Sequence, residues 1–417
     1  MRFTALLTAA AVLLSSAADA LPYDVIRQRD LTFPYGSQKV RGVNLGGWFV
    51  LEPWITPSLF SDGSGAVDEY TLCRSWGKTA CRSRLEAHWS SFISAGDLQQ
   101  IAAAGMNHVR IPIGYWAVDP LDGDPYVQGQ IAHLDNAIAW AGAAGLKVWI
   151  DLHGAPGSQN GFDNSGLRDQ IGWQSTPGYV QHTKGVISML AKKYARPEYN
   201  NVVTAIELLN EPMGPSLNMD QIRQYWMDGW GAVRDYGDIA VVIGDAFKSP
   251  TEWNGFMTTG WSNVILDTHQ YQVFSPGQVA MSIDDHVAAA CGLGRMLDGV
   301  DKWTVTGEWS GALTDCTKWL NGVGRGMRYD GTFAGSFFVG SCSRRVSGSI
   351  SQFSAAERAN TRRYIEAQLD AYERAAGWFF WTWKTEGSPE WEMRDLLSNG
   401  VFPQPLTERW YGNQCGF

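Results

Sequence analysis

Two glutamates in this 417-residue chain stand at the ends of short apolar runs. Glu211 follows Val202-Val203-Thr204-Ala205-Ile206-Glu207-Leu208-Leu209-Asn210 and precedes Pro212; Glu308 lies in Trp303-Thr304-Val305-Thr306-Gly307-Glu308-Trp309. A carboxyl group set where a buried strand meets a loop is placed for acid/base or nucleophilic work. Two of them are the equipment for cleaving a glycosidic bond: one protonated to help the leaving group depart, one ionised to attack. The 20 Trp, 15 Tyr and 17 Phe first serve the core, but the surplus of Trp also suits the apolar face of a sugar ring.

The elements that must position these carboxyls follow from the apolar pattern. Candidate strands are Val40–Leu45, His108–Ile113, Lys147–Leu152, Val202–Leu209, Ile239–Gly244, Asn263–Asp267, Trp303–Gly307 and Gly377–Trp383. Helical patterns lie between several of them: Leu98–Ala104, Leu134–Ala144, Met219–Tyr236 and Ala355–Ala375. Continuous apolar strands alternating with helices imply a parallel sheet covered on both faces, and eight such units predict a closed α/β (β/α)₈ TIM barrel. An open doubly wound sheet would carry a G-x-G-x-x-G loop after its first strand; Gly46-Gly47-Trp48 is not one. Residues 54–85, 272–300 and 310–354 read as long loop insertions at the C-terminal rim.

On a barrel the site lies at the C-terminal ends of the strands. Arg110 lies in the second strand, and His153 ends the third. Asn210 and Glu211 end the fourth, His269 and Tyr271 the sixth, Glu308 the seventh, and Trp381 and Trp383 lie in the eighth. Glu207 sits lower, nearer the barrel middle, and reads as a structural charge paired with an arginine or amide. Two histidines without a third ligand at suitable spacing do not make a metal site, so no metal and no cofactor is expected.

The formal charge of -9 and pI near 5.3 argue against nucleic acid or an anionic membrane as partner. Met1-Arg2, a short apolar run and Ala18-Asp19-Ala20 read as a secretory signal over residues 1 to about 20, with a short propeptide to about residue 29 and one catalytic domain over 30–417. The apolar run is too short for a membrane anchor. Six cysteines in a secreted chain make three disulfides, of which Cys73–Cys81 follows from proximity; spacing leaves the pairing of Cys291, Cys316, Cys342 and Cys415 open. No Asn-x-Ser/Thr sequon occurs. A monomer is expected.

Leu208-Leu209-Asn210-Glu211-Pro212 resembles the Asn-Glu-Pro signature of glycoside hydrolase family 5. The likeness extends through Asn44-Leu45-Gly46-Gly47-Trp48, Asp151-Leu152-His153-Gly154-Ala155-Pro156-Gly157-Ser158-Gln159-Asn160-Gly161, His269-Gln270-Tyr271-Gln272-Val273-Phe274, Gly307-Glu308-Trp309-Ser310 and Phe380-Trp381-Thr382-Trp383-Lys384-Thr385-Glu386. In this order the motifs are similar to those of the secreted fungal exo-β-1,3-glucanases of that family, from about residue 35 to the C-terminal Asn413-Gln414-Cys415-Gly416-Phe417.

The resemblance implies a retaining exo-glycosidase that releases glucose from the non-reducing end of β-1,3-glucan and also transglycosylates. An endo-β-1,4- or β-1,6-glucanase on the same barrel is the alternative, and a non-catalytic carbohydrate-binding wall protein a more distant one. It implies Glu211 as acid/base and Glu308 as nucleophile, with Arg110 and Tyr271 holding Glu308 ionised. Asn210 would bond the sugar 2-hydroxyl, while His153 and His269 bind hydroxyls or orient the glutamates. Glu52, Asp163, Asn164 and Asn321 would hold the terminal glucose over a floor of Trp381, for which Trp383 is the rival on strand alternation alone. Phe162 and Phe274 would clamp the next sugar. The same likeness pairs Cys291 with Cys415 and Cys316 with Cys342.

Overall fold

Strand alternation explains the interior. In β3 (Lys147–Gly154) the side chains of Trp149, Asp151 and His153 share one face, while Val148, Ile150 and Leu152 join the main apolar core on the other. Lower inward residues (Trp149, Ala205, Ala240, Ile265, Val305 and Phe379) form a separate apolar cluster, stoppered by Phe33 and Tyr35. One step higher the inward residues turn polar: Asn44, Arg110, Asp151, Glu207 and Asp267, all buried.

The computed structural model describes residues 31–417, so the expected signal and propeptide lie outside the described residues. The remaining strands are β1 (Val40–Asn44), β2 (His108–Gly114), β4 (Val203–Glu207), β5 (Ala240–Gly244), β6 (Val264–Gln270), β7 (Trp303–Trp309) and β8 (Gly377–Phe380). Each runs parallel to the next, and β8 pairs back onto β1 through Val40↔Gly377 to close the barrel.

Helices α1 (Glu69–Trp76), α2 (Lys78–Ser91), α3 (Ala95–Ala103), α4 (Gln130–Ala143), α5 (Tyr179–Tyr194), α6 (Met219–Arg234), α7 (Ile283–Leu297) and α8 (Ala355–Tyr372) fill most crossovers, and α9 (Met393–Ser398) follows β8. Reciprocal capping boxes start α3 at Ser94/Asp97, α7 at Ser282/Asp285 and α8 at Ser354/Glu357. Between β5 and β6 there is only a 3₁₀ turn, Pro250–Trp253, and no long helix.

Some sequence boundaries change. Residues 54–85 and 272–300 are not merely loops: they carry α1, part of α2, and α7, the crossover helix beside α8. Only 310–354 lacks an α-helix. β4 stops at Glu207, and β8 at Phe380 rather than Trp383. Beyond Phe380 the Thr382 N–H donates to the Trp391 carbonyl, outside the sheet, so strand alternation no longer governs where Trp383 points. Disulfides join Cys73–Cys81, Cys291–Cys415 and Cys316–Cys342. Among the described residues no helix is long and apolar enough to cross a membrane.

Candidate active site

Arg110 is the hub beneath the barrel mouth. From β2 its Nε and Nη2 donate to the two oxygens of Glu207 at 2.7 and 3.0 Å, and Nη2 lies 3.1 Å from Asp151. Its Nη1 donates to Glu308 Oε1 at 3.0 Å and to Asn44 Oδ1 at 3.0 Å. Glu207 is thus the arginine-paired structural charge expected of it. Arg110 Nη2 also donates to Asn210 Oδ1 at 2.9 Å, which fixes the amide with its NH₂ group turned away.

Above this layer stand the two glutamates. Glu308 projects from β7, and its second oxygen accepts the Tyr271 hydroxyl at 2.9 Å. Glu211 lies past the end of β4 with φ +47, a left-handed conformation that non-glycine residues rarely hold. It accepts from Asn164 Nδ2 at 3.2 Å. His269 bridges the pair: Nδ1 lies 2.8 Å from Glu211 Oε1 and 3.4 Å from Glu308 Oε2, while Nε2 lies 3.2 Å from Asp267. One oxygen of each glutamate lies within 4.8 Å of the other. Asp267 also accepts the Gly307 N–H at 2.7 Å; a Cβ at Gly307 would come 2.2 Å from its oxygens, so only glycine fits there.

Charge is unbalanced here. Asp151, Glu207, Asp267, Glu211 and Glu308 face two cationic groups, Arg110 and His269, and cannot all ionise together. Burial pushes Glu207 up to about 8 and Asp151 up to about 7 in spite of Arg110. Burial likewise pushes Glu308 up to about 8, against the pull of His269, Arg110 and Tyr271. At Glu211 burial is outweighed by the hydrogen bond and charge of His269, so its carboxyl falls below the usual range. His269 itself would be lowered by burial, but Glu308 and Asp267 hold it well above an ordinary imidazole. A single cation would be within reach of Glu211, His269 and Glu308, or of Glu207, Asp267 and His269. Both nitrogens of the shared His269 are already engaged with carboxylates, which suits a proton bridge better than a metal.

Buried polar atoms without a protein partner around the pair include Glu52 Oε1, His153 Nε2, Asp163 Oδ2 and Asn210 Nδ2. His153 is oriented from behind, Nδ1 lying 2.6 Å from Asp151, and its ring stacks on Trp381 at 5.6 Å. Trp381 thus lies against His153, on the side of the two glutamates. Trp383, the rival, is buried elsewhere and donates its indole N–H to Asp97 of α3 at 2.9 Å. Burial pushes Glu52 well up, helped by Asp163, Glu308 and Glu211, and raises Asp163 to about 7.

Asn321 is less direct. Its amide donates to Asp315 and to the Gly326 carbonyl, and its oxygen accepts from Arg328, all within its own loop. That loop reaches the Asp163 side of the mouth through Arg168, which donates to the Val323 carbonyl at 3.0 Å. Phe162 and Phe274 are both exposed, and among the described residues they share no ring contact. Phe162 meets Phe247 edge-on at 6.2 Å; Phe274 stands beside Tyr271 at 5.5 Å and Trp391 at 6.4 Å. A cavity of about 210 Å³ opens beside Glu211, lined by Asp245, Phe247, Lys248 and Gln270 among others.

Residues 75–326 match the model for cellulase, glycosyl hydrolase family 5. This chain belongs to family 5. Within it, the chain is 51% identical over its whole length to a glucan 1,3-beta-glucosidase of Blumeria graminis, covering 98% of that protein. It is 56% identical to the probable glucan 1,3-beta-glucosidase A of Emericella nidulans, over 91% of this chain and 94% of the other. The crystal structure of a rutinosidase from Aspergillus niger superposes with a TM-score of 0.71 at 21% identity, over 89% of this chain and 99% of that one, a likeness of fold. Sequence reasoning did not single out Asp151, Asp267 or Phe247. The first two lie on the inward parity of β3 and β6, a signal present once the strands are registered; Phe247 had none beyond an apolar residue after a strand end.

Proposed function

We propose that the protein is a secreted retaining exo-glycosidase that removes glucose from the non-reducing end of β-1,3-glucans, Glu211 serving as acid/base and Glu308 as nucleophile. The carrying observation is the pair itself: oxygens within 4.8 Å, bridged by one imidazole. That spacing suits the roughly 5–5.5 Å of retaining enzymes better than the wider separation inversion needs. The relatives named glucan 1,3-beta-glucosidase support the substrate class.

The first step needs Glu211 protonated and Glu308 ionised, whereas burial raises the Glu308 carboxyl and His269 lowers that of Glu211. His269 supplies the path. Once Glu308 has ionised, the His269 Nδ1 proton passes to Glu211, so Glu211 becomes the acid and the imidazole is left neutral beside the Glu308 carboxylate. Arg110 and Tyr271 then hold Glu308 ionised as it attacks the anomeric carbon. Asn210 Nδ2 is free to donate to the 2-hydroxyl, a contact that strengthens in the transition state. The unpartnered atoms of Glu52, His153 and Asp163 supply the remaining hydroxyl contacts, with Asn164 beside Glu211 and Asn321 on the rim.

An alcohol in place of water at the second step gives transglycosylation. Three disulfides suit the oxidising route of a secreted protein. The test is a product time course on laminarin beside a β-1,6-glucan. Glucose as the first product, formed as the β anomer by NMR, is expected, with transfer oligosaccharides only later and at high substrate concentration; a ladder of oligosaccharides from the start removes the exo assignment, and early α anomer removes retention.

A further inference from the structure

The loop closed by Cys316–Cys342 carries Asn321 at the mouth and, further along, Phe337 and Phe338, which are 56% and 70% exposed. Two adjacent phenylalanines in water forgo the stabilisation that burying them would give. They are held there by built contacts. The buried Asp315 carboxylate accepts the backbone N–H groups of Arg328 and Tyr329 at 2.6 and 3.0 Å. The Tyr329 carbonyl in turn accepts from Val339 and Gly340 at 2.9 and 3.0 Å, pinning the chain just beyond the two rings. On the near side Gly331, at φ +76, lies so close that a Cβ there would stand 2.9 Å from the Phe338 nitrogen.

The loop also joins the active-site mouth. The Arg328 guanidinium covers the Phe333 ring at 4.0 Å and faces Phe274 at 5.9 Å. The disulfide-closed loop that carries Phe333, Phe337 and Phe338 is thus joined through Arg328 to the rim residue beside Tyr271. From Thr332 through Ser343 that loop contains no charged residue. An uncharged, aromatic, solvent-facing segment tied through Arg328 to the rim of the active site suits a long neutral polysaccharide, whose rings present apolar faces.

We infer that Phe337 and Phe338 form a distal glucan-binding platform, which grips sugar units well beyond the bond being cleaved and favours long chains over short ones. The inference rests on the β-glucan reading above. It is tested by measuring kcat/KM from laminaribiose to laminariheptaose, with p-nitrophenyl β-glucoside alongside. The wild type gains with each unit beyond the trimer. Phe337→Ser/Phe338→Ser loses that gain, about tenfold on the heptaose and mainly in KM, while p-nitrophenyl β-glucoside turnover is unchanged. Phe337→Tyr/Phe338→Tyr, which keeps the rings, restores it.

An unaltered chain-length profile in the Ser variant overturns the platform, as does an equal loss on every substrate. A wild-type dimer in sedimentation that the Ser variant dissolves also overturns it, by assigning the patch to a second copy of the chain. A wild type that cleaves p-nitrophenyl β-glucoside but none of the laminari-oligosaccharides removes the parent reading instead.

Discussion

Glu207 and Glu211 leave the same stretch of chain, yet the barrel uses them differently. Glu207 ends β4, is fully buried, and gives both oxygens to Arg110. Glu211 lies beyond the strand in a left-handed conformation, and its partners are His269 and Asn164. Arginine never releases its proton, so a carboxylate clamped to it is fixed in role. Imidazole exchanges protons, so a carboxyl facing it can change state during turnover. The lower layer of the barrel thus supplies one permanent cation, Arg110, and the rim supplies charge that moves.

Glu308 touches both layers, Arg110 on one oxygen and Tyr271 on the other. Glu308→Ala tests the contrast most strongly. It removes the attacking oxygen and lowers kcat by on the order of 10⁴-fold or more. Because it also removes a carboxyl group whose burial is itself costly, the thermal midpoint stays near that of the wild type, and laminari-oligosaccharide binding persists in calorimetry. Glu207→Gln should show the reverse balance, a lowered midpoint with partial turnover. If Glu207→Gln abolished turnover as completely with an unchanged midpoint, the two-layer distinction would fail.

Next in size is Arg110→Met. It leaves Glu207, Asp151 and Glu308 buried without their cation, and breaking such a network by removing one partner costs about 3–5 kcal/mol. Urea unfolding reads this directly as a lower midpoint at constant slope. A variant as stable as the wild type would show that protonation of those carboxyls, rather than the guanidinium, holds the lower layer together.

These layers were unequally legible in the sequence. Strand count and closure could be read because β1 to β8 are nearly continuous apolar runs. The rim glutamates, Arg110 and Tyr271 could be read because polar residues ended those runs together. The ends of β4 and β8 could not, since Leu208-Leu209 and Trp381 continue the apolar runs beyond the last strand residues. The choice between Trp381 and Trp383 depended on where β8 stopped, which Thr382 decides by bonding to Trp391. The bridge made by His269 was read only as a choice between binding sugar and orienting glutamates. Its two-sided geometry appears once β6 and β7 are in register, with His269 opposite Glu308.

The smallest effect is the most discriminating for the rim. Tyr271 donates to Glu308 at 2.9 Å, and that bond stabilises the ionised carboxylate. Tyr271→Phe removes it, so the Glu308 carboxyl, already pushed up to about 8 by burial, moves higher still. The acidic limb of kcat/KM, which reports the free enzyme's ionising base or nucleophile, then shifts to higher pH. At a pH below that limb the rate falls by about tenfold, the worth of one hydrogen bond to a charged group. At a pH above it Glu308 is ionised in both proteins, and the two rates draw together. A purely structural tyrosine would lower the rate by the same factor at every pH, so a parallel, unshifted profile would detach Tyr271 from the ionisation of Glu308.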